Sequence, residues 1–302
     1  MMWPSRTGQS RQLDSQLAAY EATSGPLPGL ADRRARATLL SQLVASLRRE
    51  DYYKFLQQKA ISARRANPND PMFNPEKAIA FHLQCGNVDE ACWLIFLMTH
   101  FAKPADSGWQ RLTDVYGQLG QGVWDWKSVS RNPAFFENWI SANWQGVRGK
   151  FGNHRKYESL RPGSHRSTGK VVRSYVNLIG AQGHQRFFQQ TGFGRNDRFD
   201  ALYDATDILS FGRLAKFDYL MLLARYQIVQ MRPLSAYLSG ATGPSRGAKL
   251  LFTGSANGNV SSQNLQISLD GLDGFLNVGM AVLEDALCNW QKQPLTFVHF
   301  KG

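Results

Sequence analysis

From Leu30 onward the chain alternates between stretches of helical apolar period and short breakers rich in Gly, Pro, Asn and Ser. Leu39, Leu40, Leu43, Val44 and Leu47 recur at i, i+1, i+4, i+5 and i+8, one stripe of an amphipathic helix. Asn67–Pro68–Asn69–Asp70–Pro71 interrupts that pattern. Asn74–Pro75–Glu76 reads as a helix start, with Asn as N-cap and Pro at the first helical position. Gly86–Asn87 then sets off a strongly apolar helix from Val88 to Phe101. Further helices are predicted near 108–118, 133–145, 168–190, 198–208, 213–229, 261–273 and 277–292. Alternation of period two never persists beyond a few residues, so the predicted class is all-α and multi-helix. Neither an internal repeat nor a low-complexity stretch is present. The first 29 residues are polar and end in Gly25–Pro26–Leu27–Pro28–Gly29, and they read as a flexible tail with room for one short helix. Residues 30–66 then form an N-terminal helical segment, and 67–302 a helical catalytic domain.

At 43% hydrophobic residues the chain can bury a core and does not have a disordered composition. Its longest apolar run, 91–98, is far shorter than the roughly 20 residues of a membrane span, so no membrane partner is expected. The N-terminus lacks a signal-peptide pattern, which makes a cytoplasmic protein the expectation. Cys85, Cys92 and Cys288 fall in no CxxC pair, and no histidine pair has zinc-ligand spacing. Neither a disulfide framework nor a metal site is predicted.

The net charge of +12 changes the picture, because it points to a polyanionic partner. The charge is segregated. Residues 148–173 carry Arg148, Lys150, Arg155, Lys156, Arg161, Arg166, Lys170 and Arg173 against Glu158 alone. Residues 213–249 carry six cations against Asp218, whereas 68–147 hold more acids than bases. Such clustering suits contact with phosphates.

Some motifs fail on inspection. Gly163 to Lys170 has five residues between its glycines and Val171 after the lysine, so it is not a Walker phosphate loop. Its Thr168–Gly169–Lys170 end still opens a helix, and helix N-termini bind phosphate. Nucleophile-elbow and HExxH patterns are absent. His82 and His100 lie on apolar helices and read as core or boundary residues.

Four segments remain. Ser210–Phe211–Gly212–Arg213–Leu214–Ala215–Lys216–Phe217–Asp218 joins two helices through a Gly turn, the outline of a helix-hairpin-helix and equally of an ordinary αα-corner. In the first case Gly212, Arg213 and Lys216 would hold a DNA phosphate. Asn153–His154–Arg155–Lys156–Tyr157 packs an amide, an imidazole, two cations and an aromatic at the centre of the basic segment. These types suit a polyphosphate and a stacked base, although a polar surface loop has the same composition. Near the C-terminus, Val282, Leu283, Ala286, Leu287 and Trp290 form a core stripe, while Glu284, Cys288 and Gln291 share another face. Finally, 240–249 combines glycines with Arg246 and Lys249, allowing close backbone approach to a ligand or simply a flexible loop.

Taken in order, several blocks resemble the third clade of the alpha-glutamyl/putrescinyl thymine pyrophosphorylase family. They are Asn74–Pro75, Thr99–His100–Phe101, Trp124–Asp125–Trp126, 152–160, Thr168–Gly169–Lys170, 199–203, 211–222, 240–252 and 283–292. The resemblance covers roughly residues 70 to 302. It implies a DNA-glycosylase-like, all-α fold with a helix-hairpin-helix, in a bacterial or phage-infected cell. It also implies an enzyme that replaces pyrophosphate on 5-pyrophosphoryloxymethyluracil in double-stranded DNA with an amine from an amino acid or polyamine. An amine donor is then the co-substrate, and no resident cofactor is predicted. Asn153, His154, Arg155, Lys156, Tyr157, Lys170, Arg173 and Arg246 become candidate substrate-binding residues, and Asp218 and Glu284 candidate bases. Excision of a modified base, or non-catalytic DNA binding, are the alternatives. No Asp or Glu lies between Asp218 and Asp270, so glycosylase-type excision would rest on Asp218 itself.

Overall fold

The computed structural model describes residues 3–192 and 197–299. Among them the regular structure is helical, with fourteen α-helices and no strand beyond an isolated bridge between Ser159 and Ser167. In chain order the first seven helices are α1 (Thr7–Ser24), α2 (Arg33–Gln58), α3 (Pro75–Gln84), α4 (Val88–Phe101), α5 (Gln110–Tyr116), α6 (Trp126–Arg131) and α7 (Pro133–Asn143). The remaining seven are α8 (Thr168–Ile179), α9 (Gly183–Gly192), α10 (Arg198–Ala205), α11 (Arg213–Arg225), α12 (Thr242–Thr253), α13 (Ser262–Leu276) and α14 (Met280–Trp290). The chain divides into two compact units, one from Met1–Tyr52 with Arg232–Lys301 and the other from Tyr53–Met231. This division differs from the expected tail, helical segment and single domain. The apolar stripe of α2 is covered by the C-terminal helices, so the two ends of the chain build one core.

In the first unit, Leu39, Leu43 and Val44 of α2 are buried with Leu251, Leu269, Leu283 and Trp290. The Trp290 indole N–H donates to the Ala35 carbonyl at 3.0 Å, which satisfies its one polar atom. The expected flexible tail is a helix: Leu13, Leu17 and Tyr20 of α1 lie in this core, and Arg36 holds Asp14 and Glu21 on its flank. Its three apolar positions are too sparse among polar residues to announce a helix by period alone. The segment 240–249, expected to approach a ligand, begins α12 instead. A Cβ on Gly243 would stand 2.5 Å from Cys288 Sγ, and one on Gly247 would overlap the Leu287 carbonyl oxygen. These glycines let α12 lie close against α14.

The second unit is built around α4, whose residues 91–101 are all buried. A helix apolar on every side has to be enclosed, and α3, α9 and α11 pack on it. The predicted start of α3 is observed: Asn74 Oδ1 accepts from the Lys77 N–H at 2.9 Å. The stretch 168–190, expected as one helix, is two, broken after Ile179 by Gly180 at φ +72°. Phe96 lies at the centre, stacked on Tyr175 at 3.9 Å and on Phe211 at 5.6 Å between centroids.

Gly247→Ala tests the α12–α14 seam through its sign. In a solvated helix this change stabilises by up to about 1 kcal/mol. Here overlap with a backbone oxygen is expected to destabilise by about 1–3 kcal/mol, measured by urea unfolding.

Candidate functional site

The C-terminal end of α4 positions the basic segment. The Gly152 N–H donates to the Phe101 carbonyl at 2.9 Å, and a Cβ on Gly152 would meet Ala102 at 2.6 Å. Close backbone approach therefore fixes where the following turn, Asn153–Arg155, begins. Arg155 then turns inward and is buried. Its guanidinium donates to the Ser210 carbonyl at 3.0 Å and Oγ at 3.3 Å, and lies 3.4 Å from Glu158 Oε1. The Ser210 hydroxyl donates to Glu158 Oε2 at 2.7 Å. Ser210 itself is left-handed, at φ +65°, a conformation that this triangle of contacts supports. Burial pushes the Glu158 carboxyl up, against the opposing pull of Arg155. Two segments singled out in the sequence, 152–158 and 210–218, are thus clamped together. Arg155 is the brace between them, and the groups it leaves facing solvent are Asn153, His154, Lys156 and Tyr157.

Beside them α11 begins at Gly212, which is exposed and provides no side-chain cap. No acidic residue lies in its first turn, so the positive dipole end of the helix is not offset by a carboxylate of its own first turn. Leu209 and Leu214 are exposed on either side of this start. Arg213 covers the Phe217 ring at 4.8 Å, and Lys216 Nζ donates to the Tyr203 carbonyl at 3.3 Å. His154 and Asp218 approach to 4.0 Å across the junction, each side chain more than one-third exposed. Tyr157 is 69% exposed, with Lys156 Nζ 5.1 Å from its ring centroid, which presents an aromatic face with a cation beside it.

The start of α8 behaves differently from its expectation. Ser167, Thr168 and Gly169 are buried, and the Thr168 N–H is taken by the Ser159 carbonyl at 2.8 Å. A Cβ on Gly169 would stand 2.7 Å from Glu137, so this glycine serves the packing of α7 on α8. Lys170 Nζ donates to the Ser164 carbonyl at 3.1 Å, and Arg173 pairs with Glu137. The Thr168 N–H and the Lys170 ammonium are thus both engaged within the protein. The Thr168 hydroxyl instead meets buried His100 Nε2 at 3.0 Å, and burial together with Arg155 and Arg111 keeps that imidazole neutral. Two predicted site residues belong to the other unit: Glu284 is buried on α14, and Arg246, on α12, reaches Asn257 Oδ1 at 3.5 Å.

A cleft of about 800 Å³ lies at the N-terminal end of α4, and sequence reasoning missed it. Asp89 and His100 are eleven residues apart on this helix, so the cleft is about 16 Å along it from the basic segment. Its walls include Phe81 and His82 of α3, Asp89 and Glu90 of α4, Tyr116 of α5, and Asp125 and Trp126 at the start of α6. Glu90 accepts from the Tyr116 hydroxyl and from the Trp126 backbone N–H, both at 2.6 Å. Burial raises its carboxyl to about 7, those hydrogen bonds pull it down, and Asp125 and Asp89 add repulsion. Asp89 Oδ1 accepts from Nδ1 of His184 at 2.6 Å, whose Nε2 meets the Tyr175 hydroxyl at 2.6 Å. Tyr219 continues this buried chain at 3.1 Å. Burial holds His184 neutral, and the bonds from His184 hold Asp89 ionised. A sequence signal for Glu90 existed only as an acid in the first turn of α4, a place that acids occupy for the helix dipole alone.

The chain is all-α, and its second unit joins a basic loop to a helix start without a side-chain cap. More specifically, it belongs to the alpha-glutamyl/putrescinyl thymine pyrophosphorylase family, clade 3, whose model matches residues 34–302. The match begins within α2, well before residue 70, so the long helix is part of the family's common sequence. Neither the curated proteins nor the solved structures give a match. No helix among the described residues is long and apolar enough to cross a membrane.

Removing Arg155 strands a buried carboxylate and releases the segment around Ser210. Arg155→Ala is expected to lower the stability of the chain by about 3 kcal/mol in urea unfolding. A loss below about 0.5 kcal/mol would mean that the residue is not a brace.

Glu90 sets a pH dependence with a defined sign. Its carboxyl is raised from 4.5 to about 7 on folding, so the folded state holds more protons between those values. Stability from this group is present at acid pH and is lost as pH rises through 7. Relative to Glu90→Gln, the wild type should lose roughly 3 kcal/mol between pH 4 and pH 8, measured by urea midpoints across that range.

Proposed function

We propose that this protein is a DNA base-modifying transferase that replaces the pyrophosphate of 5-pyrophosphoryloxymethyluracil in DNA with an amine. Membership of a family named for thymine pyrophosphorylases supports this reading. The observation that carries it is the joining of the segment 152–158 to the uncapped start of α11 by Arg155 and Ser210. Helix-start N–H groups hold a DNA phosphate well, and the helix-hairpin-helix reading of α10 and α11 assigns them that task. Double-stranded DNA is then the macromolecular partner, and an amino acid or polyamine the co-substrate.

In the reaction a C–N bond forms at the methylene carbon as its C–O bond to pyrophosphate breaks. Negative charge grows on the departing oxygen, so cations placed there lower the barrier. Lys156 and Arg213 are the groups assigned to it, with Lys170, Arg173 and Lys216 contributing to the surrounding field. The attacking nitrogen has to shed a proton, and the His154–Asp218 pair beside the junction is the base. Reaching the methylene carbon takes the base out of the stack, and Tyr157 supplies an exposed ring to stack against it. Glu284 and Arg246 lie in the first unit and are assigned no role in this reading.

The test is mass spectrometry of nucleosides after incubation with DNA carrying the pyrophosphorylated base and a mixture of amino acids and polyamines. An amine-bearing nucleoside with free pyrophosphate is the expected product. A released base with an abasic site would replace the reading with a glycosylase, and DNA binding without turnover would replace it with a binding module. Lys156→Ala is expected to slow turnover about 10- to 100-fold with little change in stability. Asp218→Asn should reduce kcat more than DNA affinity, and equal losses in both would refute its role as base.

A further inference from the structure

The buried chain of hydrogen bonds that runs from Asp89 to Tyr219 ends on α11, one residue from Asp218. We infer that Asp89, His184, Tyr175 and Tyr219 are positioning residues, which set α11 about its axis and thereby aim Asp218 at His154 across the junction. The task given to Asp218 rests on the proposed reaction; the chain of bonds that sets the helix does not.

One placement of the protons fits the distances. Burial keeps His184 neutral, so its ring carries a single N–H. Asp89 Oδ1 accepts from the His184 backbone N–H at 2.9 Å and lies 2.6 Å from ring Nδ1. An ionised carboxylate has no proton to give, so Nδ1 carries the hydrogen of the ring. Nε2 is then a bare acceptor, and the Tyr175 hydroxyl donates to it at 2.6 Å. With its one proton committed, the Tyr175 oxygen accepts from the Tyr219 hydroxyl at 3.1 Å. The Cys92 carbonyl is farther from Tyr175, at 3.4 Å. Each donor thus has its acceptor, and the bonds run in one direction from α11 to the first turn of α4. A buried network satisfied in a single way specifies a single arrangement of the elements that carry it.

Those elements are α4, α8, α9 and α11, one residue from each, all within the second unit. Tyr175, His184 and Tyr219 are enclosed, and Asp89 alone reaches solvent, at the wall of the cleft. Around Tyr219 the buried face of α11 is apolar, with Ala215, Leu220, Leu222 and Leu223. Apolar contacts have no preferred direction, whereas a hydrogen bond weakens steeply off its axis. The Tyr219 hydroxyl is therefore the group on this face that resists rotation of the helix. Asp218 stands one residue earlier, about 100° round the helix. A turn of α11 that breaks the bond to Tyr175 moves Asp218 relative to His154, which it now approaches to 4.0 Å. In a reacting site, a displacement of about 1 Å can cost roughly a hundredfold in rate.

Long-range proton–nitrogen correlation NMR of the full chain, labelled at histidine, reads the chain of bonds without DNA. His184, assigned by the loss of its signals in His184→Gln, is expected as the Nδ1–H tautomer. Asp89→Ala removes the acceptor and should populate the Nε2–H form. Asp89→Asn should restore Nδ1–H, because the atom facing His184 meets two N–H groups and has to be the amide oxygen. Tyr219→Phe deletes one hydroxyl and keeps the ring, so the core is preserved. In this variant the His184 tautomer should stay, and amide hydrogen exchange in the first two turns of α11 should quicken roughly fivefold, more than in α8. Its kcat should fall about tenfold with DNA affinity unchanged. An Nε2–H tautomer in the wild type, no recovery in Asp89→Asn, or unchanged exchange of α11 in Tyr219→Phe would each overturn the positioning chain. Quickened exchange with a wild-type kcat would overturn its part in aiming Asp218. A wild type without turnover would instead remove the proposed reaction, and NMR and exchange would still decide whether the chain sets α11.

Discussion

Everything in the second unit depends on enclosing α4. Eleven consecutive residues of this helix, 91–101, are buried, so neighbours have to cover it on all sides. Burial of that much apolar surface is the dominant favourable term available to the unit, at about 25 cal/mol per Å². It also creates an obligation. Polar atoms caught in the enclosure cost stability unless paired where they lie; several are paired, while His100 Nδ1 and Trp124 Nε1 are not. The Trp93 indole finds the Trp124 carbonyl, His100 finds Thr168, and Tyr175, Tyr219 and His184 pass hydrogen bonds to Asp89 at the rim. Enclosing one helix thereby determines what stands at both of its ends.

Those ends differ in charge. At Phe101 the Gly152 N–H docks and leads into a run of cations, while at the other end Asp89 and Glu90 of α4's first turn and Asp125 at the start of α6 contribute carboxyl groups. A single unit therefore carries a basic end and an acidic end, separated by the length of a helix. At the basic end, the buried groups Arg155 and Glu158 hold the geometry, and Lys156, Tyr157 and His154 are exposed. Buried and exposed residues thus follow one another within one short segment.

Where the sequence carries strong local rules, the fold was legible. Asn74–Pro75 announced α3, and the apolar run announced both limits of α4, because capping and apolar period are local signals. α1 and α12 were not legible for opposite reasons. In α1 the buried positions Leu13, Leu17 and Tyr20 are diluted by polar neighbours. In α12 the glycines that suggest a loop are the residues that permit close contact with α14. The basic segment was visible as charge, but which of its cations faces inward was not. Arg155 is buried by Ser210, a residue 55 positions away, and no pattern within 152–158 encodes that. Glu90 was hidden for the same reason, its environment being made by Tyr116 and Trp126 from other helices.

The triangle of Arg155, Glu158 and Ser210 has a kinetic consequence. Because these three groups satisfy one another within the protein, the segments 152–158 and 210–218 are already held together before any ligand arrives. A partner that docks there need not wait for a rare arrangement of the chain. It meets a surface whose shape is paid for at folding, so the ordering entropy that weakens association with flexible loops is small. Encounter is then governed by long-range attraction to the charged segment, and recognition is a matter of fit more than of rearrangement.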